Sequence, residues 1–173
     1  MPRVLLLTGT CGSGKTTIAA MLAEKADWIH ISEDTIWHNL YGKNRGPFHS
    51  DEHRQKRRNV HKKVMEQLLT DNHPDRNIVI DVTIHESPPE AYKEYQHMFE
   101  EHSIVWDIRV LHPRLEVAVA RDANRNCWTI GKKGVIELRR KFNKGIFNSE
   151  CYLDNSDETA EVTMQRILDS YAA

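Results

Sequence analysis

A short segment near the N-terminus carries the residues of a phosphate-binding loop. Residues 9–16 read GTCGSGKT and match G-x-x-x-x-G-K-[ST], with Gly9, Gly14, Lys15 and Thr16 at its fixed positions. Glycines let the backbone turn its N–H groups toward a phosphate chain, and the following helix presents its partially positive N-terminus to the same charge. The lysine is expected to reach the β- and γ-phosphates, and the threonine hydroxyl to bind Mg²⁺. The segment therefore predicts a P-loop that binds a nucleoside triphosphate.

The other loop residues include a cysteine that allows two interpretations. Gly12, Ser13 and Thr17 are expected to complete the nucleotide-binding loop. In one interpretation, the helix N-terminus and Lys15 lower the pKa of the Cys11 thiol and make ATP binding sensitive to oxidation. In the other, Cys11 is a tolerated small residue at a variable loop position.

Two aspartates follow predicted strands and are candidates for catalysis and metal binding. Asp34 comes just after WIHIS at 28–32, and Asp81 ends the apolar run IVID. In an open α/β sheet ligands gather at the carboxyl ends of the strands, so both carboxylates are expected beside the P-loop. We predict that Asp34 accepts a proton from an attacking alcohol, and that Asp81 binds Mg²⁺ together with Thr16. The alternative is that each aspartate, or Ser32 ahead of the first, only caps a helix or strand end.

A predicted helix at 113–125 carries Arg121 and Arg125 four residues apart, on one face near its end. Paired guanidinium groups can close on phosphates and neutralise the charge that develops during transfer, or stack on adenine. The alternative is a solvated basic helix end. The segment at about 122–134 is predicted to form a short lid.

A longer helix, predicted at 51–71, changes from basic to apolar along the face that Val60 and Val64 share. Its N-terminal part is expected to wall a pocket for an anionic or polyhydroxylated acceptor within region 34–62, although a helix end in solvent would show the same pattern. His61 lies on this face, and Arg45 in the preceding loop is a possible addition. The predicted acceptor-binding residues are Asp34, Arg54, Arg57, Arg58 and Thr83.

Composition limits the classes of function. The chain has 173 residues and a net charge of -1, which favours one domain at 1–173 and disfavours a surface for duplex DNA. No apolar run approaches a membrane span, and the three cysteines show no C-x-x-C spacing, so a reduced, cytoplasmic protein is expected. The ten histidines lack the spacing of a metal site and are expected mostly at the surface. The N-K-x-D segment of GTP-binding proteins is incomplete, and oligomeric state is left open.

Strand and helix signals alternate along the chain, which predicts a three-layer α/β/α fold with a five-stranded parallel sheet. Strands are expected at 3–8, 28–32, 77–84, 104–111 and 151–154. Helices are expected at 15–26, 34–41, 51–71, 88–101, 113–125, 134–143 and 157–171. A polar turn, YLDNSDETAEV, follows the last strand and either lines adenine through the backbone of Asn155, Ser156 and Asp157 or caps the last helix.

Together these segments resemble the P-loop small-molecule kinases: gluconate and shikimate kinases, the chloramphenicol phosphotransferase group and the kinase domain of polynucleotide 5′-kinases. The resemblance covers nearly the whole chain and implies ATP as donor, Mg²⁺ as cofactor and a hydroxyl as acceptor. It also implies in-line transfer with Asp34 as base, with charge stabilised by Lys15, Arg121 and Arg125, and with the metal organised by Thr16 and Asp81.

Two alternatives remain beside a small-molecule kinase. One keeps the reaction but changes the acceptor to a nucleotide or to a polynucleotide 5′-hydroxyl, for which a basic helix is suited. The other is a module that senses ATP without transferring phosphate, although Asp34 would have no evident role in it.

Overall fold

Five parallel strands form the sheet of the computed structural model, which describes residues 3–42, 50–70, 76–84, 90–125, 129–143 and 147–172. The strands are β1 (Val4–Gly9), β2 (Ile29–Ser32), β3 (Ile78–Asp81), β4 (Trp106–Leu111) and β5 (Tyr152–Leu153). Their order across the sheet is β2-β3-β1-β4-β5. The strand that leads into the P-loop is therefore central, between the strand that ends in Asp81 and the strand that leads toward Arg121.

Within the described ranges, seven helices connect and cover these strands. They are α1 (Lys15–Lys25), α2 (Glu33–Tyr41), α3 (Asp51–Thr70), α4 (Glu90–Glu101), α5 (Leu115–Ala123), α6 (Gly131–Phe142) and α7 (Ala160–Ala172), with a 3₁₀ turn at Ser149–Cys151. None of these helices has the length and apolar character needed to cross a lipid bilayer.

The central strand β1 is buried on both faces, because its alternating side chains enter two separate cores. Val4 and Leu6 pack in the core that also contains residues of α2, α3 and α4. Leu5 and Leu7 pack in the opposite core with α1 and α7. The predicted three-layer α/β/α fold and five-stranded parallel sheet are confirmed.

Strand register brings the predicted site residues to one edge of the sheet. Asp81 at the end of β3 pairs with Leu7 of β1 on one side and with Ser32 of β2 on the other. Because α2 starts directly after Ser32, its first turn lies beside the P-loop and Asp81. The strand predicted at 77–84 stops at Asp81; beyond it, the backbone N–H of Ile84 donates to the side-chain hydroxyl of Thr8 (2.9 Å) and not to a backbone carbonyl of β1.

Candidate active site

The P-loop approaches helix α5 so closely that one position accepts only glycine. Gly12 has φ +76°, and a Cβ atom there would lie 2.1 Å from the carbonyl oxygen of Ala118 and 2.9 Å from the backbone nitrogen of Asp122. Both contacts are with backbone, which a side-chain movement cannot relieve. The loop and the helix that carries the two arginines are therefore packed as one unit.

The lysine of the loop folds back across it. Lys15 Nζ donates to the carbonyl oxygens of Gly9 (3.0 Å) and Thr10 (3.2 Å), while Gly14 at φ +98° starts helix α1. This places a cation next to the helix N-terminus, so both features attract an anion to the same place.

Thr16 and Asp81 come from different elements and meet at this edge of the sheet. The Thr16 hydroxyl donates to Asp81 Oδ2 at 2.6 Å, and the aspartate is only 5% exposed. Burial raises the pKa of Asp81, with the charge of Lys15 and the hydrogen bond from Thr16 partly opposing it. On the far side, His30 Nε2 lies 4.0 Å from the same carboxylate, and burial lowers the pKa of this histidine. A hydroxyl and a buried carboxylate side by side are hard oxygen ligands, which fit Mg²⁺.

Asp34 lies in the first turn of α2 and is exposed. The cap of this helix is Ser32, whose hydroxyl oxygen accepts from the backbone N–H of Thr35 at 3.3 Å. Capping is therefore explained without the aspartate. After burial and the opposing effects of Lys15 and Thr16, the charge of Asp34 further raises the pKa of Asp81. Ser32, two residues before Asp34, pairs with Asp81 across β2 and β3.

A cavity of about 270 Å³ lies between the P-loop, the end of α5 and the turn before α7. Among the predicted site residues, those that line it are Gly12, Gly14, Lys15, Thr16, Thr17, Arg121 and Arg125. Gly9 and Ser13 support the loop from behind: Ser13 is fully buried, and Gly9 faces the carbonyl of Leu111. A cavity with three cations beside a helix N-terminus could hold a chain of phosphates.

Asn155 joins the P-loop to the two other walls of the cavity. Asn155 is 3% exposed, and its side-chain amide donates to the backbone carbonyl oxygen of Ser13 at 3.0 Å. Its backbone carbonyl oxygen accepts from Arg121 Nη2 at 3.0 Å. The sequence predicted at most a backbone contact with adenine here, because no pattern indicates which strand end a turn asparagine will face.

Asp122 was also missed. It is 1% exposed, its Oδ2 accepts from the backbone N–H of Gly131 at 3.1 Å, and its Oδ1 lies 3.8 Å from Arg125 Nη1. It thereby connects the end of α5 to the start of α6. That helix begins at Gly131, three residues earlier than predicted, so the second half of the predicted lid at 122–134 is largely helical. Residues 126–128 of this lid lie outside the described residues.

The predicted acceptor-binding arginines lie on α3, outside the lining of this cavity. Arg54 forms an ion pair with Asp51, and Arg58 Nη2 donates to Gln55 at 3.0 Å. Arg57 is half-buried. Thr83 is half-buried beyond the end of β3, and Arg45 lies outside the described residues. None of the predicted acceptor-binding residues that the structure describes lines the cavity beside the P-loop.

Burial bears on two side chains for which the sequence left alternatives open. Burial outweighs the charge of Lys15 and raises the pKa of the Cys11 thiol, which disfavours the reactive thiolate that oxidation sensitivity requires. His61 does not line a pocket wall, because it is 2% exposed and lies between Glu33 and Glu94. Its place on the apolar face of α3, next to Val60, was the signal for burial.

The loop, the Thr16–Asp81 pair and the two arginines around one cavity define a P-loop nucleotide-binding protein with a kinase-like fold. The sequence profile of the AAA domain family matches residues 4–129, and the chain belongs to this family. The sequence matches no curated protein significantly.

Solved structures with the same fold include small-molecule kinases and a resistance protein. A sugar kinase from Janibacter sp. is 18% identical, with 98% of this chain and 94% of that chain covered and a TM-score of 0.68. The tunicamycin resistance protein of Deinococcus radiodurans is 14% identical (99% and 96% covered, TM-score 0.71). A shikimate kinase from Bacteroides thetaiotaomicron is 16% identical (99% and 99% covered, TM-score 0.67). The predicted resemblance to P-loop small-molecule kinases is confirmed.

Proposed function

We propose that this protein transfers the γ-phosphate of ATP to a hydroxyl group of a small molecule. The observation that carries the proposal is the Thr16–Asp81 pair at the carboxyl end of β3, next to the end of β2, where Ser32 pairs with Asp81 and Asp34 follows in the first turn of α2. The kinase-like fold supports it, and so does the phosphate-sized cavity on the other side of the pair.

The residues on the cavity side would bind the nucleotide and its metal ion. Lys15 and the loop N–H groups would hold the phosphates, and Thr16 with Asp81 would hold Mg²⁺, which when bound supplies positive charge at the phosphate oxygens. Arg121 and Arg125 would neutralise charge that develops on the transferred group.

The acceptor would approach from the α2 side. Asp34, exposed in the first turn of α2, would orient the hydroxyl group of the acceptor and take up its proton as the acceptor oxygen attacks the γ-phosphorus. Arg54, Arg57 and Arg58 on α3 would then contact an anionic or polyhydroxylated acceptor. Phosphoryl transfer through a loose transition state depends mainly on position and positive charge, and this arrangement is suited to both.

The test is ADP release from MgATP with a panel of acceptors, measured on the wild type and Asp34→Asn. The panel comprises sugars, sugar acids, shikimate, nucleosides, nucleotides, aminoglycosides, chloramphenicol and 5′-hydroxyl oligonucleotides. We expect one class to stimulate ADP release, and the substitution to reduce the stimulated rate by about 10²–10⁴-fold. ATP affinity should change by less than about twofold, since Asp34 does not line the phosphate cavity.

Asp169→Asn is the matched control, because Asp169 is an exposed carboxylate on α7 that accepts from Gln165 and should leave the stimulated rate unchanged. Stimulation that persists in Asp34→Asn would remove this residue from the mechanism. Tight ATP binding without stimulation by any acceptor would favour the sensing module. Stimulation by oligonucleotides that weakens steeply with salt would favour a polynucleotide acceptor.

A further inference from the structure

A buried histidine joins three helices on the acceptor side of the sheet. His61 of α3 is 2% exposed; its Nδ1 lies 2.5 Å from Glu94 Oε2 on α4, and its Nε2 lies 3.1 Å from Glu33 Oε1 on α2. Its ring also packs on Tyr95, with centroids 4.7 Å apart. The proposed phosphoryl transfer assigns no role to this histidine or to the two glutamates.

The chemistry of the contacts specifies the protonation state. Neutral imidazole has one N–H donor, whereas both partners here are carboxylates, which only accept. With both glutamates ionised, both contacts are hydrogen bonds only when both ring nitrogens carry a proton. Burial lowers the pKa of His61, but the hydrogen bonds to Glu33 and Glu94 outweigh it, and the pKa is raised above 6.5.

The surrounding charges are consistent with an imidazolium ion. On α4, burial raises the pKa of Glu94, but the hydrogen bond and charge of His61, together with the charges of Arg57 and Arg58 on α3, lower it overall. Tyr95 is fully buried, and burial with the two glutamates raises its pKa well above 10, so it stays neutral. On α2 the charged group that faces His61 is Glu33.

The link to catalysis runs through α2. Glu33 is the first residue of this helix, and Asp34, the proposed base, is the second. The imidazole therefore anchors the turn that carries Asp34 to α3 and α4. Neutral His61 has a single N–H and keeps only one of these two hydrogen bonds, so loss of the proton from Nε2 releases α2.

We propose that protonated His61 is a positioning residue that holds the first turn of α2, and with it Asp34, in place beside the Thr16–Asp81 pair. The inference rests on the proposed function for its consequence in catalysis. Its structural content, an imidazolium that anchors α2, is independent of whether phosphate is transferred.

The test is therefore made by NMR on the full chain with MgADP and no acceptor, between pH 6 and 9. Ring nitrogen shifts, assigned by comparison with His61→Gln, should show both nitrogens of His61 protonated at pH 7. As pH rises and His61 loses its proton, the backbone amide signals of Asp34 and Thr35 should shift with the same midpoint. Those of Thr163, on α7 and outside this cluster, should not follow it.

Glu94→Gln separates positioning from a merely structural role. A glutamine amide can donate to Nδ1 of neutral His61, which frees the remaining N–H for Glu33 at every pH. In this variant the Asp34 and Thr35 signals should stay constant over the range in which they shift in the wild type. His97→Gln is the matched control: His97 pairs with Glu101 on the exposed face of the same helix, and the wild-type titration should persist.

MgADP affinity should change by less than about twofold in Glu94→Gln, because no member of the cluster lines the phosphate cavity. A His61 ring with one unprotonated nitrogen at pH 7 would overturn the inference. A pH-dependent shift of the Asp34 backbone amide signal that is the same in Glu94→Gln as in the wild type would overturn it as well. Loss of kinase activity in every assay, with these signals as described, would contradict the proposed function and leave the anchoring role of His61 established.

Discussion

At the scale of single residues, the site combines groups that folding alone would not favour. Asp81 is a buried carboxylate, and its neighbours compensate its burial only in part, since its pKa stays raised. Gly12 holds a left-handed backbone conformation against α5. Such features are expected where a site is built for a ligand instead of for stability. At the Thr16–Asp81 pair, the cost of the site in stability can be measured.

Asp81→Asn is expected to stabilise the nucleotide-free protein and to remove its response to metal. A carboxyl with a raised pKa binds its proton more tightly in the folded state, so its contribution to stability falls as pH rises above the ordinary value of 3.8. The amide avoids this loss and can still accept from Thr16. We expect the Tm at pH 7 to rise by about 2–4 °C, and the additional stabilisation by MgATP over ATP to disappear.

Asp122→Asn is the control, since Asp122 is equally buried but lies beside Arg125 and accepts from Gly131. It should not raise the Tm. A lower Tm in Asp81→Asn than in the wild type would show that the carboxylate is stabilising without a metal.

At the scale of elements, sequence patterns predicted the type of each segment more accurately than the residues at which it begins and ends. Continuous apolar runs identified the central strands, and the spacing of apolar residues identified the helices. At two of the displaced ends a side chain from another segment completes the backbone: Thr8 accepts from Ile84 beyond β3, and Asp122 accepts from Gly131 at the start of α6. No local pattern contains such contacts.

Hydrogen bonds of Asn155 connect α5, the P-loop and the turn before α7. Asn155→Ala leaves the buried carbonyl of Ser13 without this donor and should lower the free energy of unfolding by about 1–3 kcal/mol. Because the released segment is part of the P-loop, ATP affinity should also fall by about tenfold. Chemical denaturation and calorimetric titration measure the two effects.

Asn77→Ala is the matched control. The Asn77 side chain also bonds backbone, accepting from Arg3 N at 3.0 Å, but it lies at the amino ends of the strands, away from the site. A similar loss of ATP affinity in both variants would show that Asn155 acts only through general stability.

At the scale of the whole molecule, the topology was predictable, and the side-chain hydrogen bonds between distant elements were not. The P-loop, Asp81 and the arginine pair lie around one crevice because parallel strands end at the same edge, a rule that needs no coordinates. Asn155 and His61 acquire their partners only when helices from distant parts of the chain pack together. The sequence therefore predicted that the P-loop and the arginines of α5 would come together, and it missed the contacts by which Asn155 and His61 join separate elements.

Two histidines with shifted pKa values, His61 and the half-buried His112, also give the stability of the chain a defined dependence on pH. Burial lowers the pKa of His112, at the junction of β4 and α5, to about 4, with the charge of Arg139 adding to the effect. The unfolded chain takes up this proton near pH 6.5, the folded chain only near 4, so stability falls as pH drops through this window. His61 has the opposite sign: its raised pKa contributes stability that is complete below pH 6.5 and lost as pH rises through the raised value.

His112→Gln should therefore flatten the acid side of the stability curve and leave the alkaline side unchanged. Between pH 5 and 6.5, ordinary carboxyl groups no longer titrate, and one proton can change the free energy of unfolding by at most about 1.4 kcal/mol per pH unit. The variant should lose most of the part of this slope that comes from His112. Urea unfolding at several pH values measures the slope, with exposed His102→Gln as control. Some acid slope should remain, because burial also lowers the pKa of His30. An unchanged slope in His112→Gln would mean that His112 accepts its proton equally well in the folded chain, and that the junction of β4 and α5 opens to water before the rest of the sheet.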